Sequence, residues 1–240
     1  MGTHTVNLLK HHQVAEGTIA FYFAKPSGFH FAAGQTIDVT LIDPPETDAE
    51  GNTRTFSLTS APYEPHLTVA TRMRDTAFKR TLKTLQPGTE AKIEGPFGSF
   101  TLQRKTARPA VMLTGGIGIT PFRSMILQAT KANTGHNLFL FYSNHRPEDA
   151  AFLDELGELA RRHTNLTLVA TMTNLTNSHA PWSGETGHIS VEMLMKYVTD
   201  LADPIYYIAG PPGMVSAMKE MLNEAGVDED DVRSEDFSGY

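Results

Sequence analysis

The sequence contains no cysteine. That removes disulfides, a thiol nucleophile, thiolate zinc sites and cysteine-bound iron–sulfur clusters in one step. No apolar run approaches the ~18–20 residues needed to cross a bilayer, and the polar start over residues 1–6 carries no charged-then-apolar leader. Val6 stands where N-terminal myristoylation requires Ser or Thr. Basic residues are in the minority: 20 Lys and Arg against 27 Asp and Glu give a net charge of −7, which repels nucleic acid in bulk. The ten histidines form no HExxH or comparable pair, so no metal site is expected. These absences predict a soluble, cytoplasmic chain that binds neither nucleic acid nor metal and spans no membrane. A monomer is the default expectation.

What is present is globular. An apolar share of 40% with 19 glycines in 240 residues excludes disordered, collagen-like and coiled-coil chains, and the length suits one large domain or two small ones. The hydrophobic period changes near residue 104. Before it, short β-like runs at 6–9, 17–23, 35–42, 55–58, 67–71 and 91–94 are separated by turns at 25–28, 43–45, 86–88 and 95–98. That spacing predicts an antiparallel β-barrel or sandwich over residues 1–104, interrupted by one short helix at 77–85. After it, apolar runs alternate with amphipathic stretches: 110–113 with 121–132, 138–142 with 148–162, 166–171 with 191–201, and 205–209 with 214–225. Such alternation predicts an α/β domain with a parallel sheet over residues 105–240. Thr120 is placed to cap its first helix, with Pro121 at the favoured first position, and Gly226 is placed to stop its last. Met214, Met218 and Met221 read as core residues.

Three segments carry chemistry. Gly115, Gly116, Gly118, Thr120 and Pro121 join the first apolar run of the second half to its first helix, where unpaired amides and missing side chains make an anion site. Taken alone this is equally a structural turn, since Pro121 replaces the last glycine of the GxGxxG fingerprint. Gly210, Pro211, Pro212 and Met214 form a second bare strand-to-helix loop, which alone reads more simply as a proline-enforced helix start. Arg54, Phe56, Ser57, Leu58 and Ser60 lie on one extended segment of the first half. Alternation sends Arg54 and Phe56 to one face and Ser57 to the other, so a ring stacked on Phe56 meets Ser57 only at a bend or bulge.

Taken together, in this order along almost the whole chain, the three segments closely resemble the ferredoxin–NADP reductase-like flavoproteins. The resemblance implies a barrel that holds FAD, a second domain that binds NADH or NADPH, and hydride transfer from nicotinamide C4 to flavin N5. It implies that Arg54 pairs with the flavin pyrophosphate, Phe56 packs on the isoalloxazine where the family usually has Tyr, and Ser57 hydrogen-bonds near N5. Thr71, Arg72, Met73, Thr76, Ala77, Phe78 and Lys79 match the stretch that wraps the flavin phosphates, with Thr76 and Lys79 standing where many relatives have GlyxxSer. That departure leaves FMN open as an alternative to FAD. The two glycine loops match those that hold the pyridine nucleotide, and Ala209 replaces the Cys common before the second. Glu235 and Phe237 resemble the family's Glu-x-aromatic ending, which implies a carboxyl that polarises the site and a ring that covers the flavin; Tyr240 is the alternative ring.

No Ser-Arg pair follows the third strand of the second domain, which leans the coenzyme toward NADH, while Ser143 and Arg146 stay open as partners for a 2′-phosphate. The implied acceptor is a separate carrier: ferredoxin, flavodoxin, a cytochrome or an oxygenase component. Lys79, Arg80, Arg104 and Lys105 are candidate cations for meeting it. A reductase of free flavins, quinones or ferric chelates is the alternative enzyme, and a flavin- or nucleotide-binding regulatory module the alternative outside catalysis.

Overall fold

A computed structural model describes residues 2–237. The first half holds six strands, β1 (Gly2–Ala15), β2 (Thr18–Ala24), β3 (Thr36–Leu41), β4 (Thr53–Ser57), β5 (His66–Arg72) and β6 (Glu90–Phe97), with one helix, α1 (Ala77–Thr84). They pair antiparallel in the order β4-β3-β6-β1-β2-β5 around Phe21, Phe23, Val39, Leu67, Phe78 and Ile93. Among the described residues the ladder does not close into a complete barrel. Its edges β4 and β5 are joined only through the segment after β4, where the Thr59 N–H donates to the Thr68 carbonyl (2.8 Å) and the Thr68 N–H to Ser60 Oγ (3.0 Å). β1 runs well beyond its apolar signal because its polar residues pair with β2, His11 and His12 lying against Phe21 and Tyr22.

The second half contains β7 (Ala110–Gly115), α2 (Ile119–Ala132), β8 (Leu138–Asn144), α3 (Leu153–Arg162), β9 (Leu166–Met172), β10 (Glu185–Thr186), α4 (Val191–Met195), β11 (Ile205–Gly210), α5 (Pro212–Glu224) and β12 (Val232–Asp236). Its sheet is parallel, in the order β10-β9-β8-β7-β11-β12. Met112, Tyr142 and Tyr207 face α2 and α3, while Val111, Leu113 and Phe141 face α4 and α5, so helices cover both faces. Strand order reverses between β7 and β11. Ligands bind such sheets in the crevice beyond the carboxyl ends at that reversal.

Several local expectations need correction. α2 begins at Ile119, straight out of a 3₁₀ turn over Gly116–Gly118; Thr120 lies inside it and donates to the Ile117 carbonyl (3.0 Å) instead of capping. Pro121 is therefore the third helical residue, where its missing N–H is still harmless. The third helix starts at Leu153 rather than near 148, because Phe152 takes a left-handed φ of +62°. α4 has five residues, far fewer than 191–201. β10 and β12 have no counterpart in the sequence reading. β12 is polar, and pairing along β11, not apolar alternation, makes it a strand. Gly226, at φ +83°, does follow the last helix.

Candidate functional site

On β4 the alternation holds. Arg54 and Phe56 share a face, the Arg54 guanidinium 5.1 Å from the centre of the Phe78 ring and the Phe56 ring 6.0 Å from it. Ser57 ends the strand, so the bend required to aim it elsewhere follows at once. It is buried, and its Oγ has no hydrogen-bond partner. Leu58 is in the core and Ser60 serves the β4–β5 seam. Beneath lies the start of α1, where Thr76 Oγ accepts the Lys79 N–H (3.3 Å). Lys79 turns its ammonium to the Arg72 carbonyl (2.8 Å), and burial, then the neighbouring Arg74, pushes its pKa down. Thr71 also donates to that carbonyl (3.3 Å), and the Met73 N–H donates to Gly17 (2.7 Å).

One feature of this cradle has no counterpart in the sequence reading. The acidic loop between β3 and β4 places its own carboxylates on the groups that suit a phosphate. Asp48 accepts from the Ala77 N–H at the head of α1 (3.1 Å) and from Arg54 (3.4 Å), while Glu50 takes Arg54 at 2.7 Å. Arg80 is held by Glu46 (2.6 Å) and Asp75 (2.5 Å), whereas Arg104 and Lys105 stand exposed. The signal was present as Glu46, Asp48 and Glu50 in one short loop, but acidic loops are ordinarily solvated.

In the second half the two glycine loops touch. A Cβ on Gly118 would lie 2.3 Å from the Ala209 carbonyl oxygen and 2.8 Å from Gly210 Cα; one on Gly115 would lie 2.6 Å from Met214 Sδ. Gly116 takes φ +55°, and Thr114 donates to the Ala209 carbonyl (2.8 Å). Gly115, Gly116, Ser143, Pro211 and Met214, with Arg72 from the first half, line a cavity of about 220 Å³. Asn144 lines it too, buried, with neither amide atom hydrogen-bonded. Its neighbours Ser143 and Arg146 are the residues whose types signal phosphate binding, and Asn144 carries no such signal in the sequence. Arg146 is spent on Asp149 (2.8 Å) and Glu16 (2.6 Å).

β12 carries the tail to the same place. Glu235 pairs in register with Ala209, and the Phe237 N–H donates to the Gly210 carbonyl (3.0 Å). Phe237 packs against the core shared with α2, and Tyr240 lies outside the described residues. Glu235 Oε2 is buried without a hydrogen-bond partner; burial, and secondarily Asp236, raises its pKa from 4.5 to about 7. A carboxyl raised on folding is better tolerated neutral, so it lowers stability as pH climbs from the unfolded value through the folded one. Glu235→Gln is therefore expected to raise the melting temperature at pH 8 relative to wild type and to leave it unchanged at pH 4. Equal effects at both pH values would contradict this assignment.

Ser57, Asn144 and Glu235 thus hold buried polar atoms without partners, each at a cost of ~1–3 kcal/mol. One cradle combines an aromatic pair with a cation and helix amides; the other is two bare glycine loops at a strand-order reversal. The first cradle suits an aromatic group that carries phosphate, and the second suits the pyrophosphate of a nucleotide.

Comparison with known proteins agrees. The model of the oxidoreductase NAD-binding domain matches residues 112–220. Ferredoxin–NADP reductase B of Sorangium cellulosum is 30% identical over 217 residues, covering 87% of this chain and 86% of that protein. The glycine betaine monooxygenase reductase subunit of Chromohalobacter salexigens is also 30% identical, over 92% of this chain, which spans only 60% of that longer protein. The crystal structure of a ferredoxin NADP+ reductase from Neisseria gonorrhoeae with bound FAD and NADP superposes with a TM-score of 0.79 over 98% of both chains, at 21% identity. The chain belongs to the ferredoxin–NADP reductase-like family of FAD- and NAD(P)H-dependent oxidoreductases.

Proposed function

We propose that this chain accepts hydride from NADH and passes the two electrons singly to a separate carrier protein, an oxygenase component or a ferredoxin. The convergence of the Gly115–Gly118 turn, the Gly210–Met214 loop and Glu235 on the Ala209 backbone supports this reading best. FAD supplies the step from two-electron to one-electron chemistry when bound. Arg54 and the amides heading α1 would hold its phosphates, Phe56, backed by Phe78, would support its ring, and the unpartnered Ser57 hydroxyl would be available to hydrogen-bond to it. Gly115, Gly116 and Gly118 admit the coenzyme pyrophosphate, and Asn144 offers its amide to the nucleotide. Glu235, whose burial favours its neutral form, would hold or release a proton beside the Ala209 backbone, and Phe237 would shield the ring from water. NADH is favoured because Arg146 is committed to carboxylates and the stretch after β9, Thr173 and Asn174, carries no cation. The domain boundary is placed at residues 104/105.

The test is anaerobic titration of the FAD-loaded protein with NADH and with NADPH, followed by candidate carriers. Bleaching by NADH at lower concentration and reoxidation by a ferredoxin or oxygenase component support the proposal. Reoxidation by free flavin or quinone alone would replace the carrier with a small acceptor, and failure of both coenzymes to bleach the flavin would overturn the reading.

The acidic loop makes a further expectation. Because Asp48 and Glu50 compete with phosphate for Arg54 and the α1 amides, the double variant Asp48→Asn, Glu50→Gln should bind FAD about 10-fold more tightly. Riboflavin, which lacks phosphate, should bind the two proteins alike. Fluorescence quenching measures both, and weaker FAD binding by the variant would show that the loop supports the cofactor.

A further inference from the structure

Arg123, on α2 just beyond the glycine turn, is buried and bonded in three directions. Its Nη1 donates across the domain boundary to the Thr59 carbonyl (2.9 Å) and to Glu64 (3.2 Å), while Nε and Nη2 grip Glu155 on α3 as a fork (2.7 Å each). The same guanidinium lies 5.0 Å from the ring centre of Phe152, the residue whose left-handed φ delays α3. The next residue, Ser124, donates to the Ser60 carbonyl (2.6 Å). Glu64 in turn accepts the Ala61 N–H (2.7 Å). Two consecutive helix residues therefore seize the backbone of the segment that starts at Ser57, from the element that starts at the coenzyme turn.

We infer that Arg123, assisted by Ser124, is a positioning residue: it clamps the flavin-facing segment to the coenzyme loop and so sets the distance between the two reacting rings. Stacked rings react only when their reacting atoms are held within ~3–3.5 Å, and a shift of ~1 Å costs on the order of 100-fold in rate. Each ring is gripped by its own half of the chain, so the separation depends on what fixes one half to the other. Apolar packing of Ala20 and Ala70 against Ile117, and of Val14, Ala33, Phe100 and Leu102 against the core beneath α2, holds the halves together but is non-directional. Other directional contacts cross the boundary, among them the Glu16 N–H to the Glu148 carbonyl (2.8 Å), Glu16 with Arg146 (2.6 Å) and Arg233 to the Thr101 carbonyl (3.2 Å), but those of Arg123 and Ser124 are the ones that land on the backbone of the segment that follows Ser57. A lysine keeps the charge but cannot supply a planar fork to Glu155 and reach Thr59 and Glu64 together.

This inference rests on the reductase reading above. Its test compares wild type, Arg123→Lys and Ser124→Ala as FAD-loaded proteins mixed anaerobically with saturating NADH. In Arg123→Lys the limiting rate of flavin reduction should fall at least ~10-fold while the dissociation constants of FAD and NADH change less than ~3-fold. The long-wavelength absorbance of a stacked flavin–nicotinamide pair should weaken with it. Ser124→Ala should move both readouts the same way by a smaller factor. In the FAD-free proteins, amide hydrogen exchange over residues 57–64 should quicken in both variants. An unchanged reduction rate in Arg123→Lys, or a loss matched by equal loss of FAD affinity, overturns the clamp. Should Arg123→Lys fail to fold, Ser124→Ala decides: wild-type rate and wild-type exchange overturn it. A wild-type FAD complex that no pyridine nucleotide reduces refutes the reductase reading instead, and hydrogen exchange still judges the clamp.

Discussion

Arg54→Met is expected to weaken FAD binding about 100-fold and riboflavin binding less than ~3-fold. The guanidinium is anchored above Phe78, where it can offer a fork of charge-assisted hydrogen bonds to a diphosphate. Each hydrogen bond to a charged group contributes ~1.5–3 kcal/mol, so losing two removes at least ~3 kcal/mol, or roughly two decades. Before binding, the same cation satisfies Asp48 and Glu50, and methionine leaves those carboxylates facing incoming phosphate. Fluorescence titration with FAD, FMN and riboflavin makes the measurement. Equal weakening for all three flavins would move Arg54 from the phosphates to the ring.

Gly118→Ala should abolish coenzyme-driven flavin reduction, by at least ~100-fold, while FAD still binds and dithionite still reduces it. The three atoms nearest to a Cβ there are all backbone: the Ala209 carbonyl group at 2.3 and 2.7 Å and Gly210 Cα at 2.8 Å. No rotamer relieves such a contact, so the two loops must separate, at a stability cost of ~1–3 kcal/mol. Gly116→Ala is the matched control. Its Cβ meets nothing within 4 Å, and its penalty is limited to the strained φ of +55°, ~1 kcal/mol. The two variants together separate close approach of the loops from backbone conformation. Gly118→Ala with normal NADH-driven reduction would show that the loop contact is dispensable.

The parts of this site that could be read from the sequence are those whose chemistry is local. Arg54, Phe56 and Ser57 sit on one strand, so period-two alternation alone foretold which side chains share a face. The glycine turn after β7 was legible because a strand, a turn and a helix follow one another without a break. What was hidden depends on partners distant in the chain. β12 is a strand because β11 offers it an edge, and Glu235 is half-buried, with Oε2 shut away, because that pairing draws it beside Ala209. Arg123 reads as one more cation on a helix until the fold brings Thr59, Glu64 and Glu155 around it. Asp48 reads as a solvated loop residue until α1 presents its first amide. Thr120 shows the reverse error: threonine is a residue type that caps helices, but the 3₁₀ turn starts the helix at Ile119, before it, and its hydroxyl donates to the Ile117 carbonyl instead.

The most direct test of the central claim, that a nicotinamide and a flavin ring meet across the cleft between the two sheets, is an anaerobic single turnover of the FAD-loaded protein with NADH and with NADH doubly deuterated at C4. The expected result is flavin bleaching preceded by long-wavelength absorbance and slowed when deuterium is the atom transferred. Bleaching at the same rate with both coenzymes and with no such absorbance would contradict direct transfer between stacked rings.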